Sequence, residues 1–373
     1  MHHWIEVYWN HTPAGLFDMD RTAHTGRFEW LPSFVKDHSP FTEAFPMPGI
    51  HPYIAFDAAQ TLPPPFGDYL AGAFARDLLF NALKNTPPEK ADRSTLAWLS
   101  LTGDRGYGAF RFEPAGYPEL NTVEPIDLGR IVKHLDAIKD GHTLTPKALR
   151  EVLRCSLFTR GSHPKVLLAI NDFTGEVLSG QGAIPDGYAA WIAKLDNGHE
   201  WEIHQLARAC GILSPACRQI RYNGRKHLLI QRFDRKGNER IPFVSYAAWG
   251  PSELPTWTSV FRKMRQLRLP VLDMEEMYRR LAFYSIVRHG PYTPSDLCFT
   301  YTPKDGWRLA PAFHFRERTS TGLHPDACIE KGIPPTLAVL RDLGDHLGLR
   351  KAKRILDGVN EKIQECLPLD QKA

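Results

Sequence analysis

Hydrophobic and polar positions change period several times along the chain, and those changes mark the elements. Over residues 4–60, short β-prone runs are broken by turn residues: "WIEVYW", then the turn "NHTPAG", then the alternating "GRFEWL". The proline-rich "TLPPPFGDYL" stops that pattern. In "DYLAGAFARDLLFNALKN", Leu70, Phe74, Leu78 and Leu79 fall on one face, which predicts an amphipathic helix. After "TPPEKADRSTLAWLSLTGDRGYGAFRFEP" a glycine turn leads into a strand. Segment 114–145 is punctuated by Pro and Gly and reads as a linker with one helix, "DLGRIVKHLDAIKD".

From about residue 155 strands dominate. "KVLLAIND" and "YAAWIAKLD" read as strands, with "TGEVLSGQGAIPDG" as hairpin and loop between them. "EWEIHQLARACG" reads as a helix stopped at Gly211. "KHLLIQRFDR" is an apolar strand with a charged end, and 255–290 and 335–367 are helix-rich. The order predicts an α+β protein: a small β-rich subdomain over 1–115, a helical linker over 116–150, a strand-rich lobe over 151–250 and a helical lobe over 251–373. No internal repeat or low-complexity tract interrupts it.

Composition narrows the class only slightly. With 373 residues, 43% apolar and 24% charged, the chain is long enough for a sizeable core and ordinary for a soluble globular protein. A net charge of +4 permits an anionic partner without demanding one. The cysteines 155, 210, 217, 298, 328 and 366 include no Cys-x-x-Cys pair, which points to reduced thiols rather than a disulfide frame or zinc site. No apolar run reaches the roughly 20 residues that span a bilayer, and the N-terminus lacks signal-peptide architecture. The expectation is a cytoplasmic protein of bacterial type with no membrane association.

The chemistry concentrates in a few stretches. "FYSIVRHGPYTPSDLCF" follows a helical run and ends in an Asp before an apolar strand, the layout of a phosphotransferase catalytic loop. Gly161 and Ser162 form a tight small-residue turn followed by Lys165; it reads as a hairpin with a solvated lysine or as a backbone cradle for phosphate. Lys194 lies in a strand with apolar neighbours, either as a snorkelling edge-strand lysine or with its ammonium on a partner. Gln231 and Phe233 sit in "LLIQRFDR". Phe233 reads as core and Arg232, Asp234 and Arg235 as surface ion pairs, or the stretch offers backbone and ring to a base.

Together these stretches resemble the HipA family, serine/threonine-kinase-fold toxins of bacterial HipBA modules. "LTGDRGYGAFRFEP" resembles its N-terminal signature, "RGSHPKVLLAI" its phosphate loop, "WIAKL" its nucleotide-binding lysine, "QRFDR" its hinge, "GWRLAPAFHF" the stretch through its metal-binding Asp, and "GLRKAKRILDGV" its C-terminal helix. The resemblance implies a protein-kinase-like fold whose β lobe binds nucleotide. It gives Gly161, Ser162, Lys165, Lys194, Gln231 and Phe233 to ATP. The family's regulatory serine position falls on Phe158.

The same resemblance exposes losses. Active relatives carry Asn-x-Asp-x-His-x-Lys-Asn where this chain reads His289, Gly290, Pro291, Tyr292, Thr293, Pro294, Ser295, Asp296. Pro291 replaces the catalytic Asp and has no acceptor side chain. Ser295 replaces the lysine. Asp296 replaces the metal-binding Asn and can still ligate a hard cation. "LAPAYD" becomes "LAPAFH", so His314 stands at the second metal position, where imidazole suits softer ions than Mg²⁺. No catalytic residue is intact; His289 is the candidate displaced base, and Asp296 with His314 the candidate metal pair. ATP binding stays open, and Mg²⁺ binding is expected to be weak or absent.

The implied function is a pseudokinase acting through protein binding, to a HipB-like helix-turn-helix antitoxin or another subunit, with DNA reached through the antitoxin. The alternative is an atypical active Ser/Thr kinase toxin that inhibits translation. Arg262, Lys263, Arg265 and Arg268, with Arg350, Lys351, Lys353 and Arg354, form basic runs that read as solvated faces or as phosphate contacts.

Overall fold

The alternation at the start of the chain closes into a hairpin. β1 (His2–Trp9) and β2 (Thr12–Asp20) are joined by a two-residue turn, tighter than the run "NHTPAG" suggests, in which Asn10 takes a left-handed φ of 53° that asparagine tolerates. β3 (Thr25–Trp30), β4 (Tyr53–Asp57) and β5 (Phe110–Glu113) complete an antiparallel sheet in the order β4-β3-β2-β1-β5. One face buries Phe17, Phe28, Trp30 and Phe110 against Phe34 and Phe41, on α1 (Pro32–Asp37) and α2 (Ser39–Thr42), and against Phe66. The ring of Phe28 lies across Gly15, where a Cβ would come within 2.7 Å of it. This computed structural model describes residues 2–20, 25–45, 53–57, 62–70, 72–82, 95–116, 118–156, 163–196, 198–237, 239–249, 255–287, 294–315 and 328–366.

The described residues group into two units: Met1–Asn197 with Arg218–Val244, and Gly198–Cys217 with Ser245–Ala373. In the first unit, α3 (Ala73–Ala82) and α4 (Thr95–Thr102) precede β5. α5 (Leu128–Lys139) starts at Asp127, whose side chain accepts the Arg130 N–H at 3.1 Å. With α6 (Pro146–Ser156) it covers a second antiparallel sheet of β6 (Lys165–Ile170), β7 (Val177–Ser179), β8 (Ala189–Lys194), β9 (Cys217–Tyr222) and β10 (Arg225–Gln231), in the order β7-β6-β8-β10-β9. Val166, Leu168, Trp191, Ala193 and Leu229 bury one face against Ile131, Val132, Leu135 and Val152. The helix read as a linker element is therefore part of a core: its apolar stripe has a sheet to cover. β11 (Arg235–Lys236) and β12 (Glu239–Arg240) form a short hairpin, and the chain leaves the unit within β13 (Phe243–Ser245).

The second unit is helical. α7 (Gly198–Ala209) is ended by Gly211 at φ 77°, as the sequence predicts. α8 (Trp257–Gln266) begins with a reciprocal cap between Thr256 and Ser259. α9 (Val271–Val287) meets the hairpin of β14 (Cys298–Thr302) and β15 (Gly306–Leu309) through Asp273, which accepts two bonds from Arg308 and one from the Leu309 N–H, each at 2.9 Å. α10 (Leu337–His346) and α11 (Ala352–Cys366) pack beside α9, where the Tyr278 hydroxyl donates to the Leu340 carbonyl at 2.7 Å. Among the described residues no helix is long and apolar enough to cross a membrane.

Candidate functional site

Two lysines face each other in the first unit. Lys165 at the start of β6 and Lys194 at the end of β8 are direct partners across the ladder. Partners in an antiparallel pair point to the same face. That face is opposite the one that packs on α5 and α6, because Val166 and Ala193, one residue away on each strand, belong to that core. β8 is a central strand and Lys194 is 5% exposed, so the edge-strand alternative does not apply. Like charges directly opposite on a sheet repel, so this pair is favoured by a neighbouring negative group. Lys165 also donates to the His163 carbonyl at 3.3 Å, at the start of the strand. Gly161, Ser162 and Phe158, together with His289 and Pro291, lie outside the described residues.

At the far end of the same sheet, Gln231 is opposite Trp191, and the Arg232 N–H extends the ladder to the Ala190 carbonyl at 2.8 Å. Phe233 is half-buried with its ring 5.8 Å from that of Phe243. Arg232 and Asp234 are buried and Arg235 is largely so; they are not surface ion pairs. Asp234 accepts Arg232 Nε at 2.9 Å and Nη2 at 2.7 Å, Arg235 Nη1 at 2.7 Å, and the Gly108 N–H at 2.8 Å. Arg235 donates to the carbonyls of Gly106 and Gly108 at 2.8 and 3.0 Å, and Arg240 donates to that of Asp104. The stretches "GDRGYG" and "QRFDR", 126 residues apart at Gly108 and Asp234, are thus one clamp. Burial alone would raise the Asp234 pKa; the two guanidiniums and the Gly108 N–H hold it well below the ordinary range. Burial, and the like charge of Arg232, push Arg235 down, while burial lowers Arg240 to about 10. Gly108, at φ 68°, passes so close to Tyr69 that a Cβ would sit 2.4 Å from the phenol oxygen.

The second unit holds the metal-position residues and one acid that the sequence reading missed. Asp296 closes a short turn over 294–296 and is half-buried. His314 lies past the end of β15, with Nδ1 3.8 Å from Glu200 Oε1. Glu200, in the first turn of α7, is fully buried and accepts the Phe315 N–H at 2.9 Å. His204, one turn on and equally buried, has Nε2 3.7 Å from the same oxygen and its ring edge-on to Phe315 at 4.6 Å. An acid at a helix start reads as a solvated complement to the helix dipole, so nothing in "EWEIHQLARACG" singled out Glu200. Its spacing to His204, one helical turn, was the available signal.

The donor set does not fit Mg²⁺. Among the described residues no group of three or more His, Cys, Asp or Glu side chains is placed to hold a metal. His314 offers nitrogen where Mg²⁺ takes oxygen, and its Nδ1 lies 3.8 Å from a Glu200 carboxylate oxygen. The facing lysines do fit an anion such as a nucleotide phosphate.

A β-rich first unit and a helical second unit define an α+β protein of kinase-like fold. Residues 157–365 match the family described as the HipA-like C-terminal domain, and the chain belongs to that family. It is similar to HipA of Shewanella oneidensis MR-1, solved as a complex of HipA, HipB and operator DNA. The identity is 19%, 98% of this chain and 92% of that one are covered, and the TM-score is 0.64. No curated protein matches the chain.

Proposed function

We propose that this chain is a HipA-type pseudokinase that works by binding rather than by phosphoryl transfer. The observation that carries the reading is His314, an imidazole at the position where the family pattern has its metal-binding Asp, turned onto the buried Glu200 carboxylate. Phosphoryl transfer relies on divalent cations to neutralise charge on the phosphates. Pro291 at the base position and Ser295 at the lysine position remove two further contributions. Loss of a general base alone lowers a rate by roughly 10²–10⁴; losing charge stabilisation with it removes most of what drives the step.

The facing Lys165 and Lys194 favour a retained phosphate subsite, so ATP is the proposed ligand, held without turnover and with Gln231 and Phe233 near the base. The proposed partner is a HipB-like helix-turn-helix antitoxin; the solved Shewanella relative was captured with HipB and operator DNA. DNA is reached through that antitoxin, and the setting is the bacterial cytoplasm. Two measurements test the reading. ATP should raise the melting temperature of the wild type and not of Lys194→Met. Incubation with γ-labelled ATP and Mg²⁺ or Mn²⁺ should leave the protein and added substrates unlabelled. Label that disappears in Asp296→Ala would instead establish the atypical-kinase alternative.

A further inference from the structure

Lys194 is the last residue of β8 that pairs on either side, with Lys165 on β6 and Leu228 on β10. A strand end frays unless the groups that follow it are held. Here the next two amides are held. The Leu195 N–H donates to the Pro164 carbonyl at 3.1 Å, and the Asp196 N–H donates to His227 Nδ1 at 3.0 Å. Asp196 leaves the strand at φ 55°, where a side chain rather than the ladder takes its amide. His227 is fully buried in β10 beside Leu228, and its Nε2 lies 3.2 Å from the Tyr222 carbonyl at the end of β9. An amide N–H only donates and a carbonyl only accepts. The two contacts therefore fix one neutral tautomer, with a bare Nδ1 and the proton on Nε2.

We propose that His227 is a positioning residue for Lys194: as a neutral acceptor it pins the backbone two residues beyond that lysine and keeps it in register opposite Lys165. Arg225 adds a second tie, from Nη1 to Asp196 Oδ2 at 2.7 Å, and its Nη2 donates to Asp136 on α5. That tie grips a partly exposed side chain rather than the backbone, so it does not replace the first. The other Asp196 oxygen, Oδ1, is 3.9 Å from His227 Nδ1, beyond hydrogen-bond length, so the amide and not the carboxylate holds the ring. The consequence for ligand binding rests on the phosphate-subsite reading of the two lysines; the tautomer and the pinned strand end do not. Two substitutions separate the contacts. Asparagine carries an acceptor where His227 has Nδ1, and glutamine a donor where it has Nε2. A histidine that merely filled its space would give both variants the same behaviour.

The test uses the full chain as wild type, His227→Asn and His227→Gln, with three readouts. Nitrogen-15 NMR of histidine-labelled protein, assigned by the variants, should show His227 neutral with its proton on Nε2. Hydrogen exchange of the peptide over 189–196 should be close to wild type in His227→Asn and faster in His227→Gln. ATP affinity by calorimetry should be kept by His227→Asn and weakened about five- to tenfold in His227→Gln, the order of one lost hydrogen bond. A proton on Nδ1 overturns the proposal, as does equal exchange in the two variants or a His227→Gln that binds ATP like the wild type. If His227→Gln does not fold, His227→Asn decides: wild-type protection supports the proposal, and lost protection overturns it. A wild type that binds no ATP but shows the expected tautomer and exchange pattern sinks the nucleotide reading alone. ATP binding that ignores both substitutions sinks this inference alone.

Discussion

Replacing Asp234 by Asn removes one negative charge from a cluster in which two guanidiniums depend on it. The wild-type carboxylate accepts three bonds from Arg232 and Arg235 at 2.7–2.9 Å and one from the Gly108 N–H at 2.8 Å. Asn keeps the shape and part of the hydrogen bonding. It leaves Arg232 and Arg235 buried without a counter-ion, and Arg240 close by. Breaking a buried pair by removing one partner costs roughly 3–5 kcal/mol. Urea unfolding should show that loss as a lower midpoint with an unchanged slope. Hydrogen exchange gives a local reading: the peptide over 101–114 should lose protection, because the Gly108 amide is bonded to the deleted charge. The pH sign follows from the depressed Asp234 pKa. Its contribution is complete above the unfolded carboxylate value of about 4 and is lost as pH falls toward the folded value; the Asn variant should lack that part of the acid dependence. A cost under about 1 kcal/mol, well short of a broken buried pair, with protection intact at 101–114, would refute the clamp.

Other consequences are separable. Gly15→Ala places a methyl 2.7 Å from the Phe28 ring and the Glu29 carbonyl, and should cost roughly 1–3 kcal/mol by overpacking, measured by urea unfolding. Lys194→Met should keep the fold by circular dichroism and abolish ATP binding in calorimetry, while Lys165→Met weakens it. Lys263, half-buried over the Trp249 ring at 4.7 Å, is lowered to about 8 by burial. The unfolded chain then binds more protons between about 8 and the ordinary lysine value of roughly 10.4, so stability should rise with pH across that window relative to Lys263→Met. Lys362→Ala, which breaks the exposed contact with Glu365, should leave the urea midpoint where it is.

The elements with a clean period were legible from sequence: the first hairpin, the lysine-bearing strands β6 and β8, and the helices of the second unit. Three features were hidden for physical reasons. α5 carries a strong apolar stripe, but its flanking prolines and glycines have the composition of a linker, and only the sheet beneath shows what the stripe covers. The charges of "QRFDR" read as surface because their burial depends on glycine carbonyls more than 120 residues away. Glu200 matters through residues 314 and 315, a pairing no local pattern encodes. Lys194, by contrast, was visible as a charge inside an apolar strand and Lys165 as the lysine after a small-residue turn, and their register is what turns two candidates into one face.

The central claim is that the wild-type pocket cannot discharge a metal-bound phosphoryl donor. The most direct measurement compares the wild type with Pro291→Asp/His314→Asp in one γ-labelled ATP experiment, with Mg²⁺ and Mn²⁺, read by mass spectrometry for phosphorylated residues. The account predicts no phosphorylation by the wild type, and a gain in the double variant wherever the remaining frame is sound. Phosphorylation by the wild type that is lost in Asp296→Ala would contradict it.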